Sequence, residues 1–496
     1  MCVLFDNLAK LRPGEDVKSQ WVNIFSTLYP CFPLFNYDRF WFRGAYPCVP
    51  YRFPQFSVSG GEKMTPLTLG VAGIGVLLLA LFSGMPIGIG MLLVGLGGMI
   101  CVSGWGAGLG LLKTVPYTTM ANYGLSVVPL FILMGEFAFH AGISRDLYST
   151  MHRWLGNLRG GLAMASVGAC AGFAAVSGSS LATAGAMGEV ALPEMKRYKY
   201  DDRLATGCIA AGGSIGIMIP PSVVLIIYGI LTEQSIGKLF LAGFIPGLLE
   251  AIFYIIVIYI LTTRNPLMGP PGPVTSFREK IVSLKGTWAV LALFLLVIGG
   301  IYTGIFSPNE AGAVGAFGAL VYALARRRLT WQSFVESLLG AGRITAMAFL
   351  ILIGAMVFGY FLTVTRLPFA LADVVSGLPM NRYIILSAIL LVYVFLGCIM
   401  EVLGMVILVV PIFFPVVIAL GFDPIWFGIL TVRTVEIGQI TPPVGINVYV
   451  IKGVAKDVSL ETIFRGIIPF FLGDICLLVL LVAVPQLSLF LPGLMK

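Results

Sequence analysis

Residues 161 to 195 read GLAMASVGACAGFAAVSGSSLATAGAMGEVALPEM. The stretch is apolar and rich in small residues, and it is interrupted by the uncharged turn Ser177-Gly178-Ser179-Ser180. The halves on either side, Gly161 to Val176 and Ser180 to Met195, each make about 24 Å of helix, short of the ~30 Å hydrocarbon core of a bilayer. Arg145, Arg153 and Arg159 precede the stretch, and Lys196, Arg197, Lys199 and Arg203 follow it. Basic flanks stay in the cytoplasm, so the chain must enter and leave on one side. The reading is a re-entrant helical hairpin over 161–195 with its tip near the membrane midplane.

The whole chain supports a membrane setting. Of 496 residues, 58% are hydrophobic and 11% charged, and mean hydropathy is +0.97. Soluble proteins carry roughly 25% charged residues, so a water-soluble enzyme is excluded and an all-α polytopic membrane protein is expected. The net charge of +8 fits basic cytoplasmic loops and needs no nucleic acid. Two histidines, His140 and His152, make no metal-ligand pattern, and the eight cysteines contain no CxxC pair. Gly212-Gly213-Ser214-Ile215-Gly216 matches GxSxG, but a nucleophile elbow needs a strand-turn-helix and a histidine base; in a membrane helix it is a decoy. No GxxxxGK[ST] occurs, so the chain is no ATPase.

Proline landmarks recur at a spacing of 222: Pro86 with Pro308, and Pro220-Pro221 with Pro442-Pro443. Gly135, Gly178 and Gly185 find Gly354, Gly397 and Gly404 at 219, and Gly243-Phe-Ile-Pro246 finds Gly466-Ile-Ile-Pro469 at 223. Two repeats follow, 64–284 and 285–496, with a second hairpin over 383–420 turning near Gly397-Cys398. Its flanks carry few charges (Arg366, Asp373, Arg382, Asp423), so it enters from the outer side and the repeats are inverted. The loop 264–285 and Arg326-Arg327-Arg328 then fall in the cytoplasm, and Met64 outside. Internal repeats with matching Gly/Pro breaks are the pattern of secondary transporters.

Residues 1–63 carry seven basic and five acidic residues and no apolar run long enough to span a bilayer. The codons for Gly60-Gly61-Glu62-Lys63 are purine-rich, as a ribosome-binding sequence is. The expectation is that Met64 is the native start and that 1–63 is an N-terminal extension, mis-assigned or disordered.

Irregular backbone at membrane depth survives where protein or a water-filled cavity satisfies it. That directs attention to the hairpin tips and to two breaks ahead of Pro-Pro, 212–221 and 434–443. Small hydroxyls facing freed carbonyls make a hard-oxygen cage suited to Na⁺. Ser177, Ser179, Gly212 and Ser214 form one candidate cation site, and Gly397, Thr434, Gly438 and Thr441 a second. The competing reading is that such small residues let helices pack closely. Glu401 and Glu436 either join cation coordination or pair with Arg366 or Arg433. Glu136, Glu310 and Asp474 read as scaffold links. Half-helix amino ends suit an anionic carboxylate, with Ser180, Ser222 and Arg366 as its candidate contacts.

Met134-Gly-Glu136, Leu158-Arg-Gly-Gly-Leu-Ala163, Ser177-Gly-Ser-Ser180, Ala191-Leu-Pro-Glu-Met195, Ile217-Met-Ile-Pro-Pro-Ser222, Glu436-Ile-Gly438 and Thr441-Pro-Pro-Val-Gly445 together resemble the large, DctM-like membrane subunit of tripartite ATP-independent periplasmic (TRAP) transporters. The likeness covers 64–496. It implies a Na⁺-driven elevator-type carrier in the bacterial inner membrane, with Na⁺ as coupling ion and no other cofactor. It further implies a periplasmic solute-binding protein that delivers an organic acid such as a C4-dicarboxylate, and a separate small four-helix membrane subunit. The family's cation positions carry over onto Ser177, Gly178 and Ser179, onto Gly212, Gly213, Ser214 and Gly216, and onto Glu436-Ile-Gly438. Glu401 stands where the family often has Asp, and Thr434 where it often has Asn. The alternative is a stand-alone sodium- or proton-coupled dicarboxylate carrier.

Overall fold

The computed structural model describes residues 65–377 and 379–495. The expectations for residues 1–63 and for a start at Met64 lie outside the described residues. The described chain is helical, with twenty α-helices and no strand.

The first half begins with α1 (Pro66–Phe82), α2 (Ile87–Ser103), α3 (Trp105–Met120), α4 (Val127–His140) and α5 (Ile143–Leu155). A helical pair follows, α6 (Gly161–Ser177) and α7 (Ser180–Arg197), then α8 (Asp202–Met218), α9 (Val223–Leu231) and α10 (Ile236–Arg264). The second half has α11 (Phe277–Tyr302), α12 (Pro308–Ala325), α13 (Trp331–Val364) and α14 (Leu367–Ser376). Then come the pair α15 (Arg382–Gly397) and α16 (Val402–Ala419), followed by α17 (Pro424–Ile440), α18 (Ile446–Val454), α19 (Leu460–Ala483) and α20 (Gln486–Leu494).

Local chemistry sets these boundaries. Ser276 with Glu279 and Ser307 with Glu310 close capping boxes at the starts of α11 and α12, satisfying amide hydrogens that have no intrahelical partner. Glu310 is thus a helix cap. Asp201, Ser222, Asp423 and Ser459 cap α8, α9, α17 and α19. Six described helices are long and apolar enough to cross a membrane, and α8 with α9, bent by 43°, makes a further broken span. Large apolar side chains such as Leu79, Leu295, Leu391 and Val479 are exposed, as expected of surfaces that meet lipid.

α8 and α17 form the centre. Every residue from Leu204 to Met218 and from Trp426 to Ile440 is buried. α8 packs between α6 and α7, and α17 between α15 and α16. The short helices beyond the breaks cross over: α9 packs on α16, and α18 on α7. The peptide bonds Pro220–Pro221 and Pro442–Pro443 are both cis.

The breaks begin later than the sequence reading placed them. Gly212 to Gly216 and Thr434 to Ile440 are helical, and the interruptions lie at 219–222 and 441–445. Glycine lowers helix propensity, but burial on all sides holds these segments helical. The prolines do the breaking: each lacks an amide donor, and the first of each pair drives the residue before it into an extended conformation. Ile219 has φ −75° and ψ 124°, Thr441 φ −96° and ψ 139°.

The basic segments meet on one face. Arg328 pairs with Asp146 at 2.9 Å, Trp154 Nε1 donates to Lys280 O at 3.1 Å, and Gly160 N donates to Gly269 O at 2.8 Å. Lys196 pairs with Asp457, and its ammonium holds the Asp457 carboxyl below the usual range.

Candidate functional site

Each hairpin tip is seated on the broken helix that follows it. In the first pair, Gly178 has φ +60°, and a Cβ there would stand 2.8 Å from Pro221 O. Glycine therefore supplies both the left-handed turn and the close approach. Ser177 Oγ lies 2.8 Å from Thr183 Oγ1, which donates to Ser179 O at 2.8 Å. Gly216 packs against that carbonyl and the Thr183 hydroxyl, while Gly212 faces Cys170 and Gly213 faces Ala184. Ser179 caps α7 and Ser222 caps α9.

The second tip repeats the arrangement with different side chains. Gly397 abuts Gly438, and Gln439 Nε2 donates to Gly397 O at 3.1 Å and Met400 O at 3.0 Å. Gly445 N donates to Cys398 O at 3.3 Å. Glu401 caps α16, accepting from Leu403 N at 3.1 Å and Gly404 N at 3.2 Å through Oε2.

A cavity of ≈ 390 Å³ opens beside the first tip. Ser177, Gly178, Ser179 and Ser180 line one side, and Glu401, Val402 and Leu403 bring in the second hairpin. Ile132, Gly135 and Glu136 of α4 and Ile344 and Met347 of α13 face them. The amino ends of α7, at Ser180 to Ala182, and of α9, at Val223 and Val224, both reach this cavity. Its charged lining is acidic, from Glu136, Glu189 and Glu401; none of the described lining residues is Lys, Arg or His.

The candidate residues therefore divide. Ser177 to Ser180 and Glu401 share the cavity. Gly212, Gly213, Gly216, Gly397 and Gly438 make the close contacts that seat the tips. Ser214 turns the other way: its Oγ donates to Glu250 Oε1 at 2.9 Å and lies 3.2 Å from Tyr254 OH. Thr434 and Thr441 donate to carbonyls of their own helix, Leu430 O and Ile437 O. Glu436 points away from the second tip and pairs with Arg433 at 2.9 Å, because Gly438 is the position against the tip and residues two apart on a helix lie on nearly opposite sides. Ser222 is buried as a cap. Arg366 is exposed and lies outside the cavity lining.

Sequence reasoning missed four participants. Thr183 follows the first tip and Gln439 precedes the second break, each by a few residues, and they carried no signal beyond being polar in apolar segments. Glu136 had been read as scaffold, but it lines the cavity. Glu189 sits within the apolar run of the first hairpin, where a carboxylate is a signal in itself.

The fold and the cavity together define a polytopic membrane transporter. A solved structure of the same fold is the YdaH transporter of Alcanivorax borkumensis, with TM-score 0.57 at 14% identity, covering 86% of this chain and 98% of that one. Residues 74–487 match the family described as the tripartite ATP-independent periplasmic transporter, DctM component. The C4-dicarboxylate TRAP transporter large permease protein DctM of Pseudomonas aeruginosa is 38% identical over 379 residues, 76% of this chain and 88% of that protein. The sialic acid TRAP transporter large permease protein SiaM of Vibrio cholerae is 36% identical over 415 residues, 84% and 96% respectively. The chain belongs to the DctM family: it is a large permease subunit of a TRAP transporter, and so a transporter rather than an enzyme.

Proposed function

We propose that this subunit carries a small organic acid into the cytoplasm across the bacterial inner membrane, coupled to Na⁺ and supplied by a periplasmic solute-binding protein, with a separate small membrane subunit as its other partner. The observation that carries the proposal is the shared cavity. The amino ends of α7 and α9 suit an anion, whereas Glu136, Glu189 and Glu401 need cations to offset them before an anion enters. An acid and its coupling cations therefore fill complementary parts of one space. Both named relatives are transporters of organic acids by their descriptions, a C4-dicarboxylate and sialic acid. Since Arg366 stands outside the cavity, Ser180 and the helix ends take the substrate contact.

The same geometry supports an elevator reading. Two inverted repeats, 64–284 and 285–496, each supply a hairpin and a broken helix, and these move as one body against the scaffold helices α2, α4, α12 and α13. Matching element order, matched cis Pro-Pro pairs and the crossed packing of α9 on α16 and α18 on α7 support the repeat. The meeting of the basic segments supports a single cytoplasmic face.

The test is uptake into proteoliposomes containing this chain and the small subunit, with the binding protein present or withheld and Na⁺ replaced by K⁺. Uptake should need both. Uptake that persists without the binding protein favours a stand-alone carrier, and uptake unaffected by K⁺ replacement removes the sodium coupling.

A further inference from the structure

A second crevice, of ≈ 270 Å³, lies apart from the cavity, between α13 and the second hairpin. Ala355, Gly359 and Thr363 line it from α13, Ile407 and Pro411 from α16, and Pro368 from the start of α14. The three α13 residues are four apart and so share one helix face, over about 12 Å of its length. Glycines in membrane helices ordinarily admit a neighbouring backbone. Gly354 does so, since a Cβ there would collide with Gly88 O of α2. Gly359 does not: a Cβ added to it meets nothing within 4 Å. Its missing side chain opens space instead of closing a contact.

The surroundings say what fills that space. Met356 and Tyr360, also in the lining, are exposed, so the crevice opens to the lipid side of α13. An unfilled apolar crevice forfeits dispersion contacts along its walls. Water is a poor occupant, because it needs two to four polar partners and the Thr363 hydroxyl is already given to Gly359 O at 2.8 Å. An α-helix, 10–12 Å across with its side chains, is too wide to enter. A single acyl chain is not. Charge is supplied at the rim. Arg366 stands between Thr363 and Pro368 in the chain; its neighbours Thr365 and Leu367 are buried, packed against Gly70 of α1, while Arg366 itself is exposed. It has no ion-pair partner among the described residues. With Arg326-Arg327-Arg328 on the cytoplasmic face, the last turns of α13 reach the outer leaflet, and a long basic side chain there extends to headgroup level.

We propose that the crevice and Arg366 form a phospholipid site of the outer leaflet: one acyl chain lies along Ala355, Gly359 and Thr363 against α16, and the lipid phosphate pairs with the Arg366 guanidinium. Apolar burial holds the chain, and the charge-assisted contact to phosphate fixes its depth. The inference depends neither on which solute is carried nor on the coupling ion.

Photolabelling tests it, with the full chain and the small subunit together in bilayers of phosphatidylethanolamine and phosphatidylglycerol. The probe is a trace of phosphatidylglycerol carrying a diazirine on one acyl chain, compared with a diacylglycerol of the same chains. Peptides covering 355–363 and 402–411 should be labelled several-fold more than α11, whose Leu291 and Leu295 are merely exposed. Gly359→Leu fills the crevice without displacing protein atoms and installs a better helix former; it should melt no lower than wild type and reduce the labelling to the α11 level. Arg366→Asn, which tolerates the left-handed backbone at φ +57°, should lower phospholipid labelling several-fold, toward the weak labelling expected from the diacylglycerol. Labelling no greater than that of α11, or unchanged in Gly359→Leu, overturns the site. Equal labelling by both probes, or indifference to Arg366→Asn, overturns the phosphate contact and with it the phospholipid assignment. Label on the small subunit in place of 355–363 shows that the partner covers the crevice, which overturns the proposal too.

Discussion

Gly438 meets Gly397 backbone to backbone: a Cβ on Gly438 would stand 2.6 Å from the Gly397 carbonyl carbon and 2.9 Å from Cys398 N. The atoms in the way are main chain, with no flexible side chain to yield. Gly438→Ala must therefore lift the second tip off α17 and weaken the two bonds from Gln439. Overpacking of this kind costs about 1–3 kcal/mol. The variant should melt at lower temperature and lose most of its uptake. Gly397→Ala, whose Cβ would be 3.3 Å from Gly438 Cα, should be milder. A Gly438→Ala protein that melts with the wild type removes the tip contact as a structural requirement.

Thr183 offers a probe of the first tip. Its hydroxyl joins Ser177 Oγ to Ser179 O, and Thr183→Val keeps the shape while deleting that link. A buried hydrogen bond contributes roughly 0.5–1.5 kcal/mol, so half-saturating Na⁺ for uptake should rise several-fold, with Thr183→Ser close to wild type. An unchanged Na⁺ dependence in Thr183→Val would mean that the first tip holds no coupling ion.

Much of this architecture was legible in the sequence, and the reasons are local. The turn at Ser177 to Ser180 was readable because an uncharged Gly-Ser step interrupts two apolar runs; α6 ends at Ser177 and α7 starts at Ser180. The Pro-Pro pairs marked the breaks for the same reason, since proline alters the backbone wherever it stands. The glycines of α8 misled because their effect depends on neighbours: surrounded by α6, α7, α10 and α19, they remain helical and serve close packing. Glu436 was left open between cation coordination and a pair with Arg366 or Arg433, and it pairs with Arg433. The other partners of Arg433, Glu250 and Asp474, belong to helices distant in sequence, and no local pattern announces them.

His152 supplies a pH test away from the apolar spans. It lies on the amphipathic α5 beside Tyr148 and Tyr198, and burial pushes its imidazole below the usual 6.5, outweighing the opposite pull of Glu194; Arg153 adds to the lowering. The unfolded chain then takes up the proton first as pH falls. His152 favours the folded state above that usual value, and the advantage is lost progressively as pH drops from it toward the lower folded value. Melting temperature should decline on acidification through that window, and His152→Gln should flatten the decline. Equal slopes in both proteins would show that this imidazole is not held neutral by the fold.

Glu401 both caps α16 and lines the cavity, and substitution can separate the two. As a cap it accepts from two amides of α16, a task worth about 1 kcal/mol that a glutamine oxygen still performs. As a cavity carboxylate it supplies negative charge, which glutamine does not. Glu401→Gln should therefore melt close to wild type yet need at least about tenfold more Na⁺ for half-maximal uptake, the equivalent of ~1.4 kcal/mol. Glu401→Ala should lose both stability and uptake, and Glu401→Asp should recover the Na⁺ response if its shorter arm still reaches the cation. If Glu401→Gln takes up substrate with wild-type Na⁺ dependence while Glu401→Ala melts early, the residue is a helix cap alone, and the cations of the cavity must rest on Glu136, Glu189 and the first tip.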